Sequence, residues 1–303
     1  MIPFRKLDLD DRACFEEHLM RSPKASCEYS FANVYLWGRK KIAEQGGFLL
    51  VQSQFDRKHV YLFPVGEGDL KEALDTIIGD AAARGIPFCL AALTQRECEW
   101  IEKLYPGKFR FHCDRDSYDY IYAMEDLAEL RGRKYQKKRN HLNRFRQNHP
   151  DAQIVPLDDG NLPAAFLLAQ QWYQKRQRED PNHDYYLEHL ALQRAFAFYR
   201  RLGMEGVVLM EQGVVLAFAM GSRLSADTFD IHFEKALDVE DGTYAAINQG
   251  FAHYLQEKYP EIKWLNREDD LGIAGLRQAK LSYCPHHMVE KCWAQLLEDE
   301  DDC

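Results

Sequence analysis

Residues 205–224, EGVVLMEQGVVLAFAMGSRL, decide how the chain folds. Two apolar, β-branched runs flank a tight turn at Glu211-Gln212-Gly213, so the stretch reads as an antiparallel hairpin. TFDIHFEKAL (228–237) adds a third strand. Past Gly242, the residues Tyr244, Ile247, Phe251, Tyr254 and Leu255 share one helical face. IKWLN (262–266) then reads as a buried strand, GIAGLRQAKLSY (272–283) as a short helix and HHMVEKCWAQL (286–296) as a final strand. Upstream lie a basic helix over about 126–147, the strand AQIVPL and the helix LPAAFLLAQQWYQKRQ, whose Pro163 suits a first turn. Another helix is expected over about 185–201.

The first half shows the same order. Helices are expected at 10–20 and 29–41, and β runs at 47–54 and 59–65. Asp69 caps and Gly85 ends the helix LKEALDTIIGDAAARG. The strand PFCLAAL follows, then the Thr94-capped helix QRECEWIEKLY, and 108–123 returns as strand. Both halves thus end as hairpin, helix, short strand, short helix, strand, although their residues do not match. Element order alone predicts an α+β chain of two duplicated domains with mixed sheets flanked by helices. The expected division is 1–125 and 126–297, with 298–303 as a disordered acidic tail.

Length and composition agree with this. The 303 residues are 46% hydrophobic and 29% charged, which suits two globular domains. No apolar run approaches the roughly 18 to 20 residues that span a bilayer, and MIPFRKLDLDD lacks a signal-peptide core. The eight cysteines include no CxxC pair, so they read as reduced, mostly buried thiols and the expected compartment is the cytoplasm. Net charge is −9, yet residues 131–149 carry eight Lys or Arg and no acid. Such a segment suits a phosphate-bearing ligand held at one place.

In that segment Leu127, Leu130, Tyr135, Leu142 and Phe145 can form an apolar face. Lys137, Lys138, Arg139, Asn140 and Asn143 are then candidate ligand-binding residues, with Lys134 and Arg144 also accessible. A second constellation, Asn266-Arg267-Glu268-Asp269-Asp270-Leu271-Gly272, follows a buried strand, where open α/β sheets form ligand crevices. Gly272 permits a sharp turn into a helix carrying Arg277 and Lys280. Glu268 or Asp269 could act as a general base, and Lys280 or Arg277 could hold a developing oxyanion. Strand alternation places His232 and Glu234 on one face, and Asn248 on the next helix is a candidate for the same cleft. The plain alternatives are a solvated basic face, an Asp cap with surface ion pairs, and a structural strand histidine. No HExxH, GxSxG, Walker loop or GxGxxG is present. His286 and His287, read as strand neighbours on opposite faces, make a poor metal pair, so no metal is expected.

The second half's element order resembles the GNAT acyltransferase fold. SFANVYLW (30–37), SYDYIY (117–122), LAELRGRKYQKKRNHLNRF (127–145) and NREDDLGIAGLRQAKLSYCP (266–285) resemble a bacterial family related to the C-terminal domain of phosphatidylglycerol lysyltransferase. That resemblance implies tandem GNAT-like domains, also seen in Fem-type enzymes. It further implies transfer of an acyl or aminoacyl group to an amine or hydroxyl, with aminoacyl-tRNA as donor in characterised relatives. The lysyltransferases carry a membrane-embedded half, to which nothing in this sequence corresponds. Acetyl-CoA enzymes of the fold bind pyrophosphate with a Q/R-x-x-G-x-G/A loop. Here the matching stretch is ALDVEDGTYAA, whose Asp238, Glu240 and Asp241 would repel pyrophosphate. Three readings stay open: aminoacyl transfer, acyl-CoA-dependent N-acyl transfer through the basic helix, and a non-catalytic module binding RNA or anions. The second half is the expected active half, and the first half supports it.

Overall fold

Gln212 (φ 49°) and Gly213 (φ 82°) make a two-residue turn with both residues left-handed, the geometry that matches the twist of a hairpin. The structure is a computed structural model that describes residues 1–55, 58–181, 185–237 and 242–297. In chain order the first elements are β1 (Arg5–Lys6), α1 (Arg12–Arg21), α2 (Phe31–Leu36), β2 (Arg39–Gln45), β3 (Phe48–Phe55), β4 (Lys58–Leu62) and β5 (Val65–Gly66). Next come α3 (Leu70–Ala83), β6 (Cys89–Leu93), α4 (Gln95–Leu104), β7 (Phe109–Cys113) and β8 (Asp119–Ala123). Then follow α5 (Met124–Glu129), α6 (Gln136–Asn148), β9 (Gln153–Pro156), α7 (Leu162–Glu179), α8 (Tyr186–Ala197), β10 (Met204–Glu211) and β11 (Val214–Arg223). The last are β12 (Thr228–Ala236), α9 (Thr243–Lys258), β13 (Trp264–Asn266), α10 (Ala274–Leu281), β14 (His287–Val289) and β15 (Cys292–Leu296).

Local chemistry sets the helix ends as the sequence predicts. Asp69 accepts the Glu72 amide at 3.1 Å to start α3, and Gly85 (φ 65°) follows its end. Thr94 and Glu97 form a reciprocal capping box on α4. Two expectations fail at left-handed residues. The helix expected over 29–41 stops at Leu36, because Gly38 (φ 76°) turns the chain into β2. The basic helix expected over 126–147 breaks between α5 and α6, where Leu130 (φ 48°) and Gly132 (φ 86°) interrupt it.

The strands form two mixed sheets. One has the order β1-β2-β3-β4-β6-β15-β7, with β5 beside β3, and the other has the order β14-β8-β13-β12-β11-β10-β9. Each contains a parallel pair, β4 with β6 and β12 with β13. Each pair is joined by a helical crossover, α3 or α9, which supplies the long connection that parallel strands need. The fold is α+β, with the same local order in both sheets.

The contiguous division at 125/126 does not describe the observed units. One compact unit comprises Met1–Asp119, Asp269–Ile273 and the chain from Met288, and the other comprises Tyr120–Glu268 and Ala274–His287. The strands next to the two parallel pairs are exchanged. β15, from the C-terminal end, lies between β6 and β7, while β8 lies beside β13. Both are interior strands, and the buried run Tyr120, Ile121 and Tyr122 in β8 suits such a place. Hydrophobic pattern marks a strand as interior without saying which sheet it enters. The acidic tail 298–303 lies outside the described residues. Cys113 and Cys292, directly opposite in the β7–β15 register, form a disulfide, which corrects the expectation of uniformly reduced thiols.

The first unit packs Phe48, Leu50, Tyr61, Leu74, Ile77 and Leu90 into its core. Its interior also holds the Lys291 ammonium. Lys291 is 2% exposed, and its Nζ donates to Glu28 Oε1 at 2.6 Å and Asp119 Oδ1 at 2.7 Å. Burial opposes the charge, but Asp119, Cys27, Glu28 and Asp269 hold its pKa well above the ordinary lysine value. Lys291→Ala would strand these carboxylates. A loss of about 3–5 kcal/mol is expected in urea unfolding, whereas a loss under about 1 kcal/mol would mean the network relaxes without its cation.

Candidate functional site

The parallel strands β12 and β13 pair at only three positions, Thr228 with Trp264, Phe229 with Leu265 and Asp230 with Asn266. β13 ends there, while β12 runs on to Ala236. The strands therefore part at their C-terminal ends, the place where such sheets form crevices. Residues 232–236 lie on one lip, and Arg267 and Glu268 begin the other.

A register shift decides which side of β12 each residue faces beyond the last strand pair. Met220 opposes Phe233 and Gly221 opposes Ile231, which leaves His232 as the extra residue of a β-bulge. The bulge reverses side-chain alternation. Glu234 bonds to Asn248 of α9, whereas Lys235 reaches Trp172 of α7 and Glu188 of α8. His232 instead meets Ser222 and Glu268. The expectation that His232 and Glu234 share a face fails because strict alternation assumes an unbroken ladder.

On the α9 side, Glu234 Oε1 accepts from Arg267 Nη2 at 3.2 Å and Oε2 accepts from Asn248 Nδ2 at 3.1 Å. The two charged side chains are 11% and 12% exposed, so they interact in a medium far less polar than water. The Arg267 guanidinium lies 4.9 Å from the Tyr283 ring centre and 5.5 Å from that of Tyr122. Lys138 of α6 places Nζ 3.8 Å from the Tyr283 ring centre. Burial, then the like charge of Arg267, pushes the Lys138 pKa down to about 8, against a partly offsetting pull from Glu234. Among the described residues, Asn248 Oδ1 and Arg267 Nη1 are buried without a hydrogen-bond partner. Because Asn248 Nδ2 serves Glu234, its oxygen is the idle acceptor. The cluster thus holds one acceptor and one donor without hydrogen-bond partners, beside an amine whose pKa is lowered toward physiological pH.

The other predicted residues take different places. Asn266 is fully buried, and its Oδ1 accepts the Glu268 amide at 2.7 Å, turning the chain as β13 ends. Lys280 is buried and donates to the Arg267 carbonyl, while Tyr122 Oη donates to the Lys280 carbonyl at 2.8 Å. Lys280 therefore holds the backbone under Arg267. Glu268 bonds to His232, but Asp269 and Gly272 belong to the first unit, so the seven-residue motif divides between units. Arg277 is half-buried on α10. On α6, Lys137, Asn140 and Asn143 are exposed, while Arg139 donates to the Leu130 and Gly132 carbonyls and closes the break after α5. His286 and His287 Nδ1 lie 3.0 Å apart, because β14 begins only at His287 and alternation does not apply.

Gly242 (φ 112°) begins α9, where an added Cβ would lie 2.2 Å from the His141 carbonyl oxygen. The basic helix α6 therefore packs against the start of α9. Asp238, Glu240 and Asp241 lie outside the described residues. Sequence reasoning did not single out Arg267, Tyr122 or Tyr283. The only signal was their presence within stretches resembling the lysyltransferase family.

The family model described as phosphatidylglycerol lysyltransferase, C-terminal, matches residues 20–295. A protein of unknown function from Bacteroides thetaiotaomicron is 36% identical, with TM-score 0.92 over 98% of this chain and 100% of that one. L-PGS from Bacillus licheniformis is 16% identical, with TM-score 0.65 over 94% and 92%. FemX is 10% identical, with TM-score 0.60 over 98% of both chains. These last two show a shared fold of the GNAT-like, Fem type. A protein from Mycoplasmoides gallisepticum is 26% identical over 214 residues, and the match spans 68% of this chain and 64% of that relative's length. No helix among the described residues is long and apolar enough to cross a membrane.

The buried pair generates a stability prediction. Arg267→Met should cost about 3–5 kcal/mol by leaving Glu234 charged and unpaired. The double variant Glu234→Gln/Arg267→Met should lose less than the sum of the two single losses, by about 1 kcal/mol or more in a denaturant double-mutant cycle. Strict additivity would show that the pair does not couple.

Proposed function

This chain belongs to the phosphatidylglycerol lysyltransferase C-terminal family, and we propose that its second unit transfers an activated aminoacyl group to an amine or hydroxyl acceptor. One observation carries the reading: the two idle atoms of the cleft are complementary to an aminoacyl ester. An α-ammonium donates hydrogen bonds, which Asn248 Oδ1 can accept. An ester carbonyl accepts them, and Arg267 Nη1 can donate. Negative charge that grows on that oxygen in the tetrahedral transition state would strengthen the Arg267 bond, the differential interaction that accelerates acyl transfer. Glu234 orients both side chains and supplies negative charge near the ammonium.

Lys138 is the base in this proposal. With a pKa near 8, its amine can be neutral, take the proton that the acceptor loses as it attacks the ester carbonyl, and return it to the donor's leaving oxygen as the ester C–O bond breaks. The exposed Lys137 on the same helix, with Arg144, offers positive charge for donor phosphates, which favours aminoacyl-tRNA over a small donor. Part of the basic segment is already neutralised. Lys134 pairs with Asp126 at 3.0 Å, and Arg131 lies 3.3 Å from Glu125 and 3.4 Å from Glu129. The packing of α6 against the start of α9 disfavours the acyl-CoA reading, in which pyrophosphate would sit at that helix start.

The test is single-turnover transfer from a panel of aminoacyl-tRNAs to amine and hydroxyl acceptors. Arg267→Lys should lower the rate about 10²–10³-fold, because a compact ammonium does not reproduce the directed guanidinium donor. The wild-type rate should rise with pH through about 8, as Lys138 loses its proton, and then level off. Lys138→Met should abolish that rise. Full activity in Arg267→Lys, or an unchanged pH profile in Lys138→Met, would remove these groups from the chemistry.

A further inference from the structure

The opposite side of β12 carries a second buried cluster. Ser222, Asp230 and His232 are 4%, 0% and 7% exposed. His232 Nδ1 lies 2.9 Å from Glu268 Oε1 and 3.5 Å from Asp230 Oδ2, and its Nε2 lies 2.8 Å from Ser222 Oγ. All three ligating atoms of Asp230, His232 and Glu268 fall within 4.8 Å of one another. Two donors that each stand about 2.1 Å from one ion are about 3.0 Å apart at a right angle and about 3.4 Å apart at the tetrahedral angle. The two separations from Nδ1 match those values. Ser222 on the far ring nitrogen supplies the orienting contact that a ligating imidazole needs.

We propose that Asp230 Oδ2, His232 Nδ1 and Glu268 Oε1 bind a divalent transition-metal ion. One nitrogen and two carboxylate oxygens suit ions such as Zn²⁺ or Mn²⁺. Ions of this class join β12 to the chain after β13, beyond the last strand pair, and so fix Glu268 and its neighbour Arg267. That role is positional, and it does not depend on which group the cleft transfers.

Two other clusters have similar spacing but lack the chemistry. Cys27, Glu28 and Asp119 already surround the Lys291 ammonium. In the set Cys14, His18 and Glu44, burial and then Glu44 push the thiol up to about 11, and Glu44 is largely exposed. Ser222, His232 and Glu268 also have the spacing of a nucleophile, base and acid. The seryl oxygen, however, sits in a residue 4% exposed, whereas an ion can enter past the more open Glu268 side chain, at 18%.

The test uses the full chain without an affinity tag, stripped with chelator and dialysed against Zn²⁺ or, separately, Mn²⁺. Mass spectrometry should find one equivalent of at least one of these ions. A hundredfold excess over Kd should raise the melting temperature by roughly 5 °C. Asp230→Asn/Glu268→Gln should lose the ion. Ser222→Ala, which keeps every ligand, should weaken binding about 10–100-fold and carries the test if the double variant does not fold. Well under one equivalent at saturating Zn²⁺ and Mn²⁺ would overturn the proposal, as would retention of wild-type affinity in Ser222→Ala. Covalent labelling of Ser222 by a fluorophosphonate would also overturn it, by assigning the cluster to nucleophilic chemistry.

Discussion

Three residue pairs hold β12 against β13, and then the strands separate. Separation exposes polar backbone and opens a gap inside a sheet, and both are costly unless side chains bridge the lips. Here the bridges are polar. Glu234 forms an ion pair with Arg267 on one side of the strand, and His232 hydrogen-bonds Glu268 on the other. Polar groups removed from water need partners, so each bridge constrains where its partner can lie. The same desolvation that makes these pairs demanding lowers the Lys138 pKa and leaves two unpartnered atoms beside Glu234. Structure and chemistry at this place have one physical origin.

The bulge at His232 is what allows both bridges on one strand. An unbroken β12 would direct His232 and Glu234 to the same face, where the pairs to Arg267 and Glu268 would compete for space. One extra residue separates them. Asn266 and Lys280 complete the arrangement from below by fixing the chain that carries Arg267 and Glu268. Neither touches the cleft's idle atoms, so their contribution is to hold the geometry that other residues use.

Much of this was legible in the sequence. The hairpin 205–224, the caps at Asp69 and Thr94 and the apolar face of Leu142 and Phe145 depend on local periodicity and turn chemistry, and the structure bears them out. Glu234 and Asn248, both candidates from the sequence, have side chains that are hydrogen-bonded to each other. The failures were non-local. The exchange of β8 and β15 depends on which sheet accepts an interior strand, and hydrophobic pattern carries no partner information. The motif 266–272 looked like one site, yet Glu268 and Asp269 belong to different compact units. Lys280 reads from sequence as a cation near acids, and its ammonium donates to the Arg267 carbonyl, a partner that sequence spacing does not reveal. Arg267 lies inside the motif 266–272, but nothing in its spacing marks it as the residue that pairs with Glu234.

The central claim is that the cleft beside Glu234 recognises an aminoacyl ester through two specific atoms. The direct measurement is a crystal structure with a non-hydrolysable analogue, an aminoacyl amide of 3′-amino-3′-deoxyadenosine. Its ammonium should lie within hydrogen-bond distance of Asn248 Oδ1 and its carbonyl oxygen should face Arg267 Nη1. A bound analogue that leaves both atoms untouched, or one seated away from the split between β12 and β13, would contradict it.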